Sequence, residues 1–149
     1  MNDESGKEQL DLSHTFAASM STVYRAWTDP AMLRHWWGPL GCELTKCEVD
    51  LRPGGQWRYG IKTEGGDREV FGEYISVDPE KMLVFSWQWA HEEGHPEKTI
   101  VTVKFHAESE CSTRITLRQE TFQSTESCQQ HGLGWRSSFE SLSQYLPLS

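Results

Sequence analysis

FAASMSTVYRAWTDPAMLRHWWGP, residues 16–39, is the stretch that decides the fold of this 149-residue chain. It sets two short amphipathic helices and five large aromatic residues between segments of strand character. Ser19 stands before a periodic run in which Val23, Trp27 and the stem of Tyr24 share a face. Asp29-Pro30 then supplies an N-cap and a proline at the first helical position, where its missing N–H costs nothing. The second helix carries Leu33, Trp36 and Trp37 and stops at Gly38-Pro39, a pair that cannot continue it. Two helices this short bear too little apolar surface to stand alone, so they must dock on the remainder of the chain. Their aromatic cluster has two readings, a packed core or the lining of a ligand cavity.

Outward from this pair, Glu8–Phe16 reads as a first strand, with Leu10 and Leu12 alternating against polar neighbours. Downstream, Cys42–Leu51 and Gln56–Thr63 form a hairpin through the turn Arg52-Pro53-Gly54-Gly55. Arg68–Val77 and Met82–Trp89 form a second hairpin through Asp78-Pro79-Glu80-Lys81, and Lys98–Ala107 and Thr113–Thr121 follow as further antiparallel strands. Residues two apart share a face. Trp57, Tyr59 and Ile61 therefore project together, as do Leu83, Phe85, Trp87 and Trp89, then Val101, Val103 and Phe105, then Ile115 and Leu117. Arg58 and Lys62 fall on the opposite face. In Arg68–Val77 both phases are apolar, Val70 and Tyr74 against Phe71, Ile75 and Val77, so its inward set stays open and a bulge is one resolution.

The period changes at the end. From Glu126 to Leu146, positions Cys128, His131, Trp135, Phe139, Leu142 and Leu146 recur every three or four residues and mark one face of a long helix. The architecture that buries this face is α+β: a curved antiparallel sheet wrapped around the C-terminal helix, with the two short helices after the first strand closing one end. Gly132 and Gly134 have two readings. They leave room for a pocket beneath the helix, or they let it approach the sheet closely around Trp135. A lining of indoles, phenols and phenyl rings with a few polar tips has the make-up of a small-molecule site.

The run WTDP…LRHWWGP, the turn RPGG at Arg52–Gly55 with Trp57, the stretch GEYISVDPEKMLVFSW at 72–87, and GW…F…L…YL from Gly134 to Leu146 together resemble one family. It is the family named for the C-terminal domain of the activator of the Hsp90 ATPase, within the START-like or Bet v 1-like helix-grip superfamily. The resemblance spans Leu10 to Leu146. It implies a single START-like domain over 1–149, with residues 1–7 as a flexible tail, and a cavity between the sheet and the last helix. Function is not fixed by that fold, which serves carriers, cyclases, hydrolases and sensors.

A chain of this length buries about two-thirds of its unfolded surface, enough for a core without metal or disulfide. A formal charge of −8 and a pI near 5.2 argue against nucleic acid, whose phosphates call for a basic stripe. No apolar run approaches the roughly 20 residues of a membrane span, and the acidic start MNDESGKEQ is unlike a signal peptide, so the expected location is cytoplasmic. Cys42, Cys47, Cys111 and Cys128 are dispersed without CxxC spacing and read mostly as inert buried thiols. His91-Glu92-Glu93-Gly94-His95 matches the letters of HExxH, but Gly94 and Pro96 deny it the helix that the zinc motif requires, so no metal is expected. His131, on the apolar face of the long helix, is the one histidine placed to anchor a ligand or move a proton.

Three functional classes follow. The first is binding or transport of a small apolar molecule by Trp36, Trp57, Tyr59, Phe85, Trp87, Val103, His131 and Trp135, with no cofactor. The second is a cyclase- or hydrolase-type enzyme, for which no catalytic residue is assigned. The third is a chaperone-interacting module, which the family name suggests; against it, the sequence offers only the region resembling the C-terminal domain. A protein partner, and the choice between monomer and homodimer, are left open.

Overall fold

The structure, a computed structural model, describes residues 8–37, 43–63, 65–90 and 97–146. Seven strands make one antiparallel sheet: β1 (Glu8–Phe16), β2 (Glu43–Val49), β3 (Gln56–Thr63), β4 (Gly66–Asp78), β5 (Met82–Trp89), β6 (Lys98–Ser109) and β7 (Ser112–Phe122). Their order is β1-β7-β6-β5-β4-β3-β2, so every step from β2 to β7 joins neighbours and only β1 crosses to the far edge. Between β1 and β2 lie α1 (Met20–Thr28) and α2 (Pro30–Trp36), and α3 (Thr125–Tyr145) closes the chain. This is the helix-grip arrangement. The strands agree with the expected ones to within two residues at most ends.

The capping expected for the helix pair is present. Ser19 Oγ accepts the Thr22 N–H at 3.2 Å, and Asp29 Oδ1 accepts that of Ala31 at 2.9 Å with Pro30 in the first turn. Trp36 Nε1–H donates to the Ala26 carbonyl at 2.8 Å and ties α2 to α1. The expected stop at Gly38-Pro39 lies outside the described residues, as do Cys42, His91 and His95.

The inward faces follow the alternation. Trp57, Tyr59, Ile61, Leu83, Phe85, Trp87, Val101, Val103, Phe105, Ile115 and Leu117 are all buried, while Trp89 is only half-buried. In β4 a register shift between Tyr74 and Ser76 resolves the two apolar phases. Before it Val70 and Tyr74 face inward. After it the parity flips, so that Val77 sits opposite Leu83 and packs on the core, whereas Ile75 is exposed. A second bulge, near the end of β7, holds Thr121 at φ 72°, a backbone region β-branched residues seldom adopt. It turns Phe122 into the core, where strict alternation would have sent it to solvent.

Gly72 faces inward between Val70 and Tyr74. A Cβ there would lie 1.9 Å from the Ser86 carbonyl oxygen and 2.7 Å from Trp57 Nε1, so only glycine lets the strands and the indole come this close. The next residue departs from the ladder too: the Glu73 N–H donates to the Ser86 hydroxyl at 2.9 Å.

On α3, Cys128, Gly132, Trp135, Phe139 and Leu142 are buried. A Cβ on Gly132 would stand 3.1 Å from Leu10 Cδ1. Of the two readings of this glycine, the structure carries close packing of the helix against β1. The cysteines also depart from expectation: Cys128 is buried, but Cys47 is half-buried and Cys111 is exposed in the β6–β7 turn. A turn has no core side in which to hide a thiol.

Candidate functional site

Indoles dominate the space between the sheet and the helices. Trp135, from the middle of α3, lies against Trp27 of α1 at 5.7 Å between ring centroids and against Trp87 of β5 at 5.2 Å. Trp57 of β3 packs on Tyr59 at 4.8 Å and on Trp87 and Phe85 at 5.6 Å each. Trp37, at the end of α2, rests 4.8 Å from Tyr59 and 5.9 Å from Trp87. At the meeting point is a void lined by these rings together with Leu33, Tyr74 and Leu83. Its volume is about 10 Å³, close to the minimum for one water.

Five of the eight residues expected to bind a ligand, Trp57, Tyr59, Phe85, Trp87 and Trp135, meet around this void. The other three stand elsewhere. Trp36 is spent on the α1–α2 contact, and Val103 is buried in β6 beyond the lining. His131 accepts the Trp89 Nε1–H at Nε2 (3.1 Å), and its Nδ1 meets the Ser127 carbonyl at 2.9 Å, which requires the proton on Nδ1. Both ring nitrogens are thereby committed within the protein, and the imidazole acts as a brace between α3 and β5.

The polar tips of the cluster fall into two groups. One is fully partnered. Trp135 Nε1–H donates to Gln119 Oε1 at 2.8 Å, and Gln119 Nε2 donates to Thr99 Oγ1 at 2.8 Å. Thr99 in turn donates to the Trp87 carbonyl at 3.4 Å. Gln119 has no solvent exposure, so this relay supplies the partners its amide needs away from water. Burial raises the Tyr59 and Tyr74 phenols well above the usual tyrosine range, which keeps them neutral.

The other group has no partner. The indole N–H groups of Trp27, Trp57 and Trp87 are buried and accepted by nothing, and all three tryptophans line the void. The expected binding set does not contain Trp27, Leu33, Trp37, Tyr74 or Leu83, which also line the void. For Trp27 and Trp37 the sequence leaves core and cavity lining as alternatives, Leu83 reads only as part of the concave wall, and the two-phase pattern of β4 hides Tyr74; a search for inward tryptophans without an inward acceptor would find Trp27.

Among the described residues no three of His, Cys, Asp and Glu come together to hold a metal ion, and the His91–His95 stretch lies outside them. Among the described residues the one buried carboxylate, Glu97, accepts the Gln123 N–H and the Ser127 hydroxyl, both at 2.6 Å, at the start of α3. There it faces the positive end of the helix dipole. Among the described residues no helix is long and apolar enough to cross a membrane.

A sheet gripping one long helix, with two short helices over its open end, defines the START-like class. Within that class, residues 17–147 match the family described as Activator of Hsp90 ATPase homolog 1-like protein, and the chain belongs to it. Among solved structures, the AHSA1 protein of Silicibacter pomeroyi is similar at 25% identity and a TM-score of 0.82, covering 95% of this chain and 99% of that one. A Mycobacterium smegmatis protein is 26% identical with a TM-score of 0.79, covering 94% and 91%. A Chromobacterium violaceum protein at 24% identity and a TM-score of 0.82, covering 91% and 94%, shares the fold. No curated protein is significantly similar to this chain.

Proposed function

We propose that this chain binds a small, largely apolar molecule between its sheet and C-terminal helix, with Trp57, Tyr59, Phe85, Trp87 and Trp135 as the contact surface. The observation that carries this reading is the set of unpartnered indole N–H groups on the tryptophans that line one void. An orphaned buried donor costs about 1–3 kcal/mol, and an interior selected only for stability would shed three of them by substituting phenylalanine. The lining holds no carboxylate, imidazole or ammonium, so the geometry favours binding over acid–base catalysis.

A void of about 10 Å³ does not hold such a molecule as it stands. The ring whose displacement would enlarge it is Trp37. The sheet residues are locked in their ladders and Trp135 is tied to Gln119, whereas Trp37 follows a seven-residue helix and holds its place by ring contacts and one backbone bond to Leu33. Apolar surface moved from water into the opened site contributes about 25 cal/mol per Å² before the costs of association.

The test is titration of the purified protein with an apolar fluorescent probe, following quenching of tryptophan emission, alongside native mass spectrometry for a co-purifying ligand. Saturable binding is expected, strengthened in Trp37→Ala and unchanged in His131→Ala. No saturable binding to a broad apolar panel, by the native protein and by Trp37→Ala alike, would overturn the reading.

A further inference from the structure

Resting on the binding reading above, we infer that the ligand is an uncharged molecule whose polar group is a hydrogen-bond acceptor without a donor of its own, such as a ketone, ester or quinone oxygen. Indole N–H groups donate only. Trp27, Trp57 and Trp87 all line the void, and each carries a buried N–H with no partner. The acceptors nearby each already receive a hydrogen bond: Gln119 Oε1 from Trp135, Thr99 Oγ1 from Gln119, and the Trp87 carbonyl from Thr99.

Water does not balance this account. The void has room for one water at most, and a water whose oxygen accepts from two indoles brings two O–H groups of its own to a lining already rich in unpaired donors. A carbonyl-type oxygen fits the imbalance, because it accepts two hydrogen bonds and brings no proton that would itself go unpaired. Charge is excluded by the same lining. A carboxylate would enter without a cationic partner, and an ammonium would enter without an anionic one; the desolvation of either is prohibitive in such surroundings. An alcohol or amine fits less well, since its N–H or O–H would meet a wall of donors.

Three compounds on one ring frame test this. Indane, indanone and indanol differ at a single carbon, which bears no polar atom, a carbonyl, or a hydroxyl. Their affinities for the native protein are measured by calorimetry, and the indole N–H resonances of isotopically labelled protein are followed in parallel. Indanone is expected to bind about tenfold more tightly than indane, the worth of one formerly unsatisfied donor, and more tightly than indanol. It should also move at least one of the Trp27, Trp57 or Trp87 N–H resonances downfield, a readout that needs no substitution. Trp87→Phe should abolish the preference for indanone if that indole is the donor, and Trp57→Phe or Trp27→Phe if it is one of the others.

Equal affinity for indane and indanone, with no indole resonance displaced, would overturn the acceptor assignment while leaving an apolar binding site. Tighter binding of indanol than of indanone would overturn it as well, because an unpaired acceptor would then have to be present. Failure of all three compounds, together with the apolar panel, would bring down the binding reading itself.

Discussion

Trp135 shows how much one side chain decides here. It stacks on Trp27, leans on Trp87 and supplies the hydrogen bond that satisfies Gln119, a side chain with no access to water. Trp135→Ala is expected to cost about 3–5 kcal/mol, the range for a large aromatic removed from a core. Trp135→Phe keeps most of the ring volume but strands Gln119 Oε1 and should cost about 1–3 kcal/mol. Urea denaturation separates the two; equal losses would mean that the Gln119 relay contributes nothing. Gly72 is the opposite case, a residue that matters by having no side chain. Its missing Cβ would overlap a backbone carbonyl that cannot step aside, so Gly72→Ala should destabilise by about 3 kcal/mol. An unchanged midpoint in that variant would mean β4 and β5 can separate at Ser86.

At the scale of elements, the two faces of β3 differ in what they tolerate. Lys62 is exposed, and Lys62→Glu should shift stability by no more than about 0.5 kcal/mol. Arg58 shares the solvent side but has partners there, a 2.6 Å ion pair to Glu69 and a guanidinium 4.7 Å over the Phe71 ring. Arg58→Glu turns that attraction into repulsion and should cost about 1 kcal/mol. The same denaturation curves report both, and a larger loss for Lys62 than for Arg58 would contradict this face. The pairing was invisible in the alternation, which shows that Arg58 and Lys62 point outward but says nothing of Glu69 on the neighbouring strand.

For the whole molecule, acid sensitivity follows from charges that bridge strands. Arg118 holds the Asp11 carboxyl below its usual range, and Lys46 with Arg58 does the same for Glu69. A carboxyl whose folded pKa is depressed contributes stability that is present above its unfolded value and lost as pH falls through the folded one. The melting temperature should therefore decline below about pH 4, and the double variant Asp11→Asn, Glu69→Gln should decline less steeply. All three ion pairs are partly exposed, so about 1 M salt should remove most of the difference. An acid limb identical in the two proteins would assign acid unfolding to other carboxylates.

What the sequence determined by itself was everything governed by local chemistry and by periods of two and 3.6. The caps at Ser19 and Asp29-Pro30, the inward sets of β3, β5, β6 and β7, and the buried stripe of the last helix are written into the spacing of residues, because side-chain direction follows from backbone geometry within a few residues. The candidate site was legible only in part. Trp57, Tyr59, Phe85, Trp87 and Trp135 announce themselves as inward aromatics, but whether such a residue lines a void or fills a gap depends on which neighbour arrives from a distant element. Tertiary structure alone decided that Trp36 is turned to the Ala26 carbonyl, that His131 spends both nitrogens bracing α3 to β5, and that Gly132 receives Leu10. It alone also decided which indole N–H groups found acceptors: Trp135 meets Gln119, sixteen residues away, whereas Trp27, Trp57 and Trp87 meet none. Hydrogen bonds between side chains on different elements depend on how those elements pack in three dimensions, and neither composition nor period carries that distance.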